Sequence, residues 1–228
     1  MIIVRLIGGL GNQMFQYAAG RRAAWANNTS LKLDITGFAL PAATKREYSL
    51  HIFKISESFA TEEEIAKLKK PRVDQLTKAL HWFRPAKSYY FKEKHFYFDP
   101  EIIRVPDNTY IEGYWQSPRY FCDIENSIRE EFMFKKGTER KHWEIKKQIE
   151  SSNSVAVLIR RSDYVSDPKN RKVFWVQDLD YYYKAMRLIS RMVKNPKFFV
   201  FSISHEDPYW AERHLKTNYP IVFFSALR

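Results

Sequence analysis

Ile2-Ile3-Val4-Arg5-Leu6-Ile7-Gly8-Gly9-Leu10-Gly11-Asn12-Gln13-Met14-Phe15-Gln16-Tyr17-Ala18 is the stretch that decides the fold. A β-branched apolar run stopping at glycines reads as a buried parallel strand, and from Asn12 to Asn27 apolar residues recur at helical spacing. The turn formers Asn27-Asn28-Thr29-Ser30 and the alternating Leu31-Lys32-Leu33-Asp34-Ile35 then close a βαβ unit. A second segment, Val155-Ala156-Val157-Leu158-Ile159-Arg160-Arg161-Ser162-Asp163-Tyr164-Val165, has the same form, an apolar strand running into polar and charged groups. Open α/β sheets build ligand sites at the carboxyl ends of their strands. Two such units predict a two-lobed α/β enzyme that handles a phosphorylated ligand.

Between these segments the pattern is irregular from Phe38 to Asp99, apart from a helix capped by Thr61, continued by Glu62-Glu63-Glu64 and ended at Pro71. Asn108 to Trp115 reads as a strand and turn, followed by a helix over 118–132 and a basic helix over 141–149. Ser151-Ser152-Asn153-Ser154 marks the lobe boundary, giving a first lobe of 1–150 and a second of 151–228. In the second lobe Val155–Ile159, Phe198–Phe201 and Pro220–Phe224 read as strands, with helices over Leu179–Val193 and Asp207–Lys216, a β-α-β-α-β order with right-handed crossovers. A strand such as Ile221-Val222-Phe223-Phe224 is ordinarily followed by a covering helix and more strands, so the second lobe reads as incomplete at Arg228.

The 228 residues suffice for one large core or two modest ones. A 45% hydrophobic content with mean hydropathy −0.50 excludes a disordered chain and a bundle of membrane spans. No window approaches the roughly 18 apolar residues of a transmembrane helix, and Met1–Arg5 is too short for a signal-peptide core. The expected compartment is the cytosol, with peripheral contact at a membrane left open. Cys122 is the single cysteine, which excludes an internal disulfide, and it has no partner at a metal-site spacing. The formal charge of +12 favours anionic partners such as a sugar nucleotide, a lipid surface or nucleic acid. The cations are dispersed among acids and accompany no reading motif, so a nucleic-acid-binding protein is a minor alternative, marked by steep loss of binding with salt.

Glycines at 8, 9 and 11 let a ligand approach the backbone at a helix N-terminus. Met14 stands where a dinucleotide fingerprint has its third glycine, and no Gly-Lys-Ser/Thr follows, which excludes a P-loop. Asn12 and Gln13 tilt the loop towards a polar ligand. Arg160 and Arg161 at a strand's end fit a diphosphate, whose oxygens match the guanidinium fork. Asp163 is either their internal counter-charge or works alongside a bound phosphate. His205 and Glu206, just past another strand's end, are candidates for nucleotide contact. Trp115, with Tyr114 and Gln116, reads equally as a platform for a sugar's apolar face and as core packing.

The chain resembles the α-1,2-fucosyltransferases of glycosyltransferase family 11. The members of that family open with a strand into G-G-L-G-N-Q-M-F-Q-Y-A and carry H-x-R-R-G-D-Y-V. Tyr110-Ile111-Glu112-Gly113-Tyr114-Trp115-Gln116-Ser117 is similar to the family's middle block. Leu179-Asp180-Tyr181-Tyr182 and Asn195-Pro196-Lys197-Phe198-Phe199-Val200-Phe201-Ser202 are similar to its later one. The resemblance implies a GT-B fold of two facing Rossmann-like lobes. It also implies inverting, metal-independent transfer of L-fucose from GDP-fucose to the 2-hydroxyl of a terminal galactoside, with no cofactor beyond the donor. The roles it implies are Arg160 and Asp163 as catalytic. By the same resemblance Arg160, Arg161, Gly9, Gly11 and Asn12 would meet the donor and Gln13 the acceptor glycan; from their own positions, Ser202, His205 and Glu206 join the donor set and Trp115 and Gln116 the acceptor set.

The chain also departs from the family pattern. Leu158 replaces the leading His, Ser162 replaces Gly, and Ile203-Ser204 stands where acidic residues usually follow Phe201-Ser202. The family's S-F-S-W-W block is not found. These departures favour a rival reading, a non-catalytic relative that binds a nucleotide or glycan without turnover.

Overall fold

The computed structural model describes residues 1–39, 46–69, 89–137, 142–166, 168–173, 175–202 and 206–224. The chain divides into two compact units, Met1–Thr138 and Glu139–Arg228. The division falls ahead of the basic helix, so that helix and the serine stretch both belong to the second unit.

The first unit is a parallel sheet in the order β2-β1-β4-β3, with β1 Ile2–Arg5, β2 Leu31–Asp34, β3 Tyr90–Lys92 and β4 Thr109–Glu112. Helix α1, Leu10–Ala26, connects β1 to β2 as the spacing predicts. Ile2, Val4, Leu6, Leu33 and Ile111 form a core with Tyr17, Ala19 and Ala23 of α1. On the other face Ile3 and Tyr110 pack with Ile65 and Leu68 of α2, Glu62–Lys69. Thr61 and Glu64 close a reciprocal cap at the start of α2: Thr61 N–H donates to Glu64 Oε2 (2.9 Å) and Glu64 N–H to Thr61 Oγ1 (3.2 Å).

Two expectations for this unit are corrected. Strand β3 lies inside the stretch read as irregular; at three residues it is too short for an alternating pattern to register. The helix expected over 118–132 is broken into two 3-10 turns, Pro118–Tyr120 and Cys122–Ile124, before α3, Glu125–Glu131. Phe121 adopts φ −146°, off the helical track, while the buried Tyr120 ring packs edge-on to Trp115.

The second unit begins with α4, Trp143–Glu150, and holds a parallel sheet β5-β6-β7 built of Asn153–Ile159, Pro196–Ser202 and Ile221–Phe224. Two short helices the periodicity did not reveal follow β5, α5 Ser162–Ser166 and α6 Pro168–Val173. Then come α7, Leu179–Met192, between β5 and β6, and α8, Glu206–His214, between β6 and β7. Val157, Ile159, Phe198 and Val200 share one sheet face and pack with Tyr182 and Met186 of α7 and Ala211 of α8. Asp178 starts α7, its Oδ1 accepting the Tyr181 N–H at 2.9 Å. Both units are thus α/β, and among the described residues the seven named strands pair in parallel throughout. Among the described residues no helix is long and apolar enough to cross a membrane.

Candidate functional site

In the first unit, the loop from β1 to α1 is shaped by Gly8, at φ +76°. A Cβ there would strain the backbone and stand 2.4 Å from Asn12 Nδ2. At Gly9 and Gly11 a Cβ would meet nothing within 4 Å, so internal packing does not require glycine at either position. Gln13 is fully buried and its amide is committed. Nε2 donates to the Gly8 carbonyl (3.0 Å) and the Glu47 carbonyl (2.9 Å), and Oε1 accepts the Ser49 N–H (2.9 Å). Expected at the acceptor, Gln13 here uses its amide for internal bonds, clamping the glycine loop to residues 47–49.

Trp115 reads from sequence as sugar platform or core packing, and the structure places its side chain in the core. It is fully buried, adopts φ +54°, stacks on Phe91 (5.9 Å between centroids) and meets Tyr120 edge-on. The turn that turns it inward is held by Glu93, whose carboxylate accepts the backbone N–H of Tyr114 (2.6 Å) and Trp115 (3.2 Å). Gly113 makes this possible, because a Cβ there would lie 2.4 Å from Glu93 Cβ. Gln116, next in sequence, is at the surface and its Nε2 donates to Asn12 Oδ1 at 2.7 Å. Asn12 and Gln116, expected on opposite substrates, form one exposed amide pair.

A row of alternating charge runs across the carboxyl ends of the four strands: Asp34 pairs in register with Arg5 and Glu112 with Lys92, and an ion pair joins Arg5 to Glu112. Arg5 Nη1 lies 2.9 Å from Glu112 Oε1, and Tyr90 Oη donates to Glu112 Oε2 at 2.9 Å. Asp34 is buried. Burial pushes its carboxyl up, but hydrogen bonds from the Tyr110 hydroxyl and from Thr36 outweigh that and hold it below the usual carboxylate range. The Tyr110 hydroxyl is pushed up by its own burial and by the same carboxylate.

In the second unit, β5 ends at the two arginines. Leu158 is 62% exposed while its neighbour Ile159 is buried. The Arg160 guanidinium lies over the Tyr164 ring (4.3 Å to the centroid), and that of Arg161 over Trp210 of α8 (3.9 Å). Trp210 in turn stacks on His214, at 4.9 Å and 17°.

Asp207, 2% exposed, belongs to the acidic residues displaced downstream of Ser202, and sequence reasoning assigned it no site role of its own. Its Oδ2 accepts the Arg161 backbone N–H (2.9 Å) and the Ser202 hydroxyl (3.0 Å), tying the end of β5 to the end of β6. One signal was available: Asp207 and Trp210 are three apart at the start of a helix, hence on one face, and both meet Arg161. Ser202, expected at the donor, is joined to Asp207. His205 lies outside the described residues, as do the side chains of Ser162, Asp163 and Glu206.

The arrangement separates the two arginines chemically. Arg161 is held through its backbone N–H by Asp207 and through its side chain by Trp210, and Arg160 through its side chain by Tyr164 of a short helix, beside the exposed Leu158. Two backbone loops at carboxyl ends, one glycine-rich and one cationic, can receive a polar ligand and an anion respectively.

The sequence matches the model of glycosyl transferase family 11 over residues 1–227. It is 31% identical over 220 residues to an alpha-1,2-colitosyltransferase of Escherichia coli, covering 94% of this chain and 71% of that protein. It is also 28% identical over 235 residues to the O-antigen biosynthesis glycosyltransferase WbnK of Escherichia coli, covering 95% and 77%. Among solved structures, it is similar to NodZ alpha-1,6-fucosyltransferase soaked with GDP-fucose, with 14% identity, a TM-score of 0.48 and coverage of 99% and 78%. Fucosyltransferase NodZ from Bradyrhizobium gives 14% and 0.48, with coverage of 97% and 77%.

Proposed function

The chain belongs to glycosyl transferase family 11, and on that premise we propose that it transfers L-fucose from GDP-fucose to the 2-hydroxyl of a terminal galactoside. The reaction is inverting and uses no metal. In this reading the fold is of the GT-B type, the first unit meeting the acceptor and the second the donor. The observation that carries it is the pair of guanidiniums at the end of β5, each laid on an aromatic ring, Arg160 on Tyr164 and Arg161 on Trp210, with Arg160 the proposed diphosphate ligand and Arg161 supporting it. The name of the 31% identical relative supports the 1,2 linkage.

The chemistry is a single displacement. The acceptor oxygen forms a bond to the anomeric carbon as the bond from that carbon to the β-phosphate oxygen breaks, and the hydroxyl proton passes to a base. Negative charge grows on the departing GDP, and a guanidinium already in place stabilises it without reorganisation. Arg160 takes that role. Asp163 is the candidate to orient an arginine or receive the proton. The open backbone at Gly9 and Gly11, with Asn12, contributes polar contacts to the donor.

Calorimetric titration of the folded chain with GDP, GDP-fucose and UDP, followed by transfer assays to β-galactosides, tests this. Binding selective for guanine, with fucose transferred, is expected; silence from all three nucleotides, or equal binding of UDP, overturns it. A colitosyl donor belongs in the same assay, because the relative is named for that sugar. A second reading, binding without turnover, is favoured by Leu158 in place of the family's His. It is distinguished by selective GDP binding with no transfer from either donor.

A further inference from the structure

Building on that transferase reading, we propose that His95, Phe96 and Tyr97 form a stacking platform for the galactoside acceptor, the role the sequence offered to Trp115. The loop that carries them is fixed at both ends. At one end the Glu93 carboxylate holds the N–H groups of Tyr114 and Trp115, and the Glu93 N–H donates to the Glu112 carbonyl (2.8 Å). At the other, Tyr120 Oη accepts the Asp99 N–H (2.9 Å), and the Phe98 ring is held by Tyr120 (4.9 Å) and by the Arg119 guanidinium (4.0 Å).

Between these anchors the side chains point to water. Phe96 is 88% exposed and Tyr97 67% exposed, and the rings of His95 and Tyr97 stack nearly coplanar at 4.7 Å and 8°. An aromatic surface held in place gives up the burial that drives folding. It loses little further conformational freedom when a ligand lies on it. The apolar C3–C5 face of a galactose ring suits such a surface, since one side is hydrocarbon and the hydroxyls project around the edge.

Those hydroxyls have partners nearby in the fold. The loop leaves the carboxyl end of β3, beside β4, and Glu93 is bonded to the two residues that precede Gln116. Gln116 joins Asn12 of α1, so the aromatic loop, the Gly113–Gln116 turn and the glycine-rich loop form one continuous rim. The amide pair supplies both donors and acceptors for sugar hydroxyls.

The experiment uses lactose as the probe, in ligand-observed NMR and in transfer kinetics, with wild type, Phe96→Ala/Tyr97→Ala and Tyr97→Phe. The double variant is expected to weaken lactose binding, and to raise the lactose KM, about tenfold or more. The KM for GDP-fucose and the melting temperature should hold, and Tyr97→Phe should keep most of the affinity because the ring remains. Unchanged lactose binding in the double variant, or none in wild type, overturns the platform. Loss of binding to phosphatidylglycerol vesicles with lactose binding intact also overturns it, making the loop a membrane contact beside Lys92 and Lys94. Lactose binding that depends on Phe96 and Tyr97 in a chain that transfers nothing would support the platform and sink the transferase reading, so the two fail separately.

Discussion

Arg160 and Arg161 are adjacent in sequence and opposite in circumstance, and substitution separates them. Arg160→Ala removes a charge-assisted contact to phosphate worth roughly 1.5–3 kcal/mol, so GDP binding weakens about 10- to 100-fold in calorimetry, more than the loss of its packing on Tyr164 lowers stability. Arg161→Ala removes the guanidinium packed on Trp210, costing on the order of 1–2 kcal/mol of stability, seen as a lower denaturation midpoint. Equal loss of affinity and stability in Arg160→Ala would make that residue structural instead. Leu158 is a second residue-scale case. Because its side chain is largely in water, Leu158→His should fold with an unchanged melting temperature. Turnover should rise if the imidazole is the group the active site lacks, and an unchanged rate would sink that explanation.

At the scale of elements, α1 acts as the organiser of the first unit's rim. Its first turn carries Asn12 to Gln116, and Gln13 joins the glycine loop to residues 47–49. Gln13→Ala leaves three backbone groups without their partner at about 1 kcal/mol each, so the unit should lose roughly 3 kcal/mol in denaturant melts, with faster amide exchange at Ser49. An effect confined to acceptor KM would instead return Gln13 to the sugar. The start of this helix was legible because strand, glycine turn and apolar period are all local signals. The cap of α2 was legible for the same reason, Thr61 and Glu64 being only three residues apart. The clamp was not, since the partners of Gln13 lie 34 and 36 residues away.

Across the whole molecule, each sheet carries a buried carboxylate at its carboxyl edge: Asp34 in the first unit and Asp207 in the second. For Asp34 the hydrogen bonds from Tyr110 and Thr36 keep the folded-state carboxyl below its unfolded value of about 3.9. Its contribution to stability is therefore fully present above that value and lost as pH falls through the lower folded one. Asp34→Asn should cost on the order of 1–2 kcal/mol at pH 7, with the gap to wild type narrowing below about pH 4 in denaturant melts. A gap constant from pH 7 to pH 2.5 would mean the charge on Asp34 is not what stabilises the sheet.

The sequence by itself determined what depends on neighbours along the chain. It contained both βαβ patterns, the runs that became β1, β2, β4, β5, β6 and β7, and the cationic loop after β5, because apolar period, turn chemistry and capping act over a few residues. Only the tertiary structure decided which way particular side chains face. Trp115 went into the core because a turn at φ +54°, held by a carboxylate 22 residues earlier, directs it there. Phe96 and Tyr97 were left in water because their loop is tied down on either side of them. Asp207 reached Arg161 from 46 residues away because parallel strands bring their carboxyl ends to one edge. Hydrogen bonds at such separations form only once the sheets exist, which is why no pattern within the chain announces them.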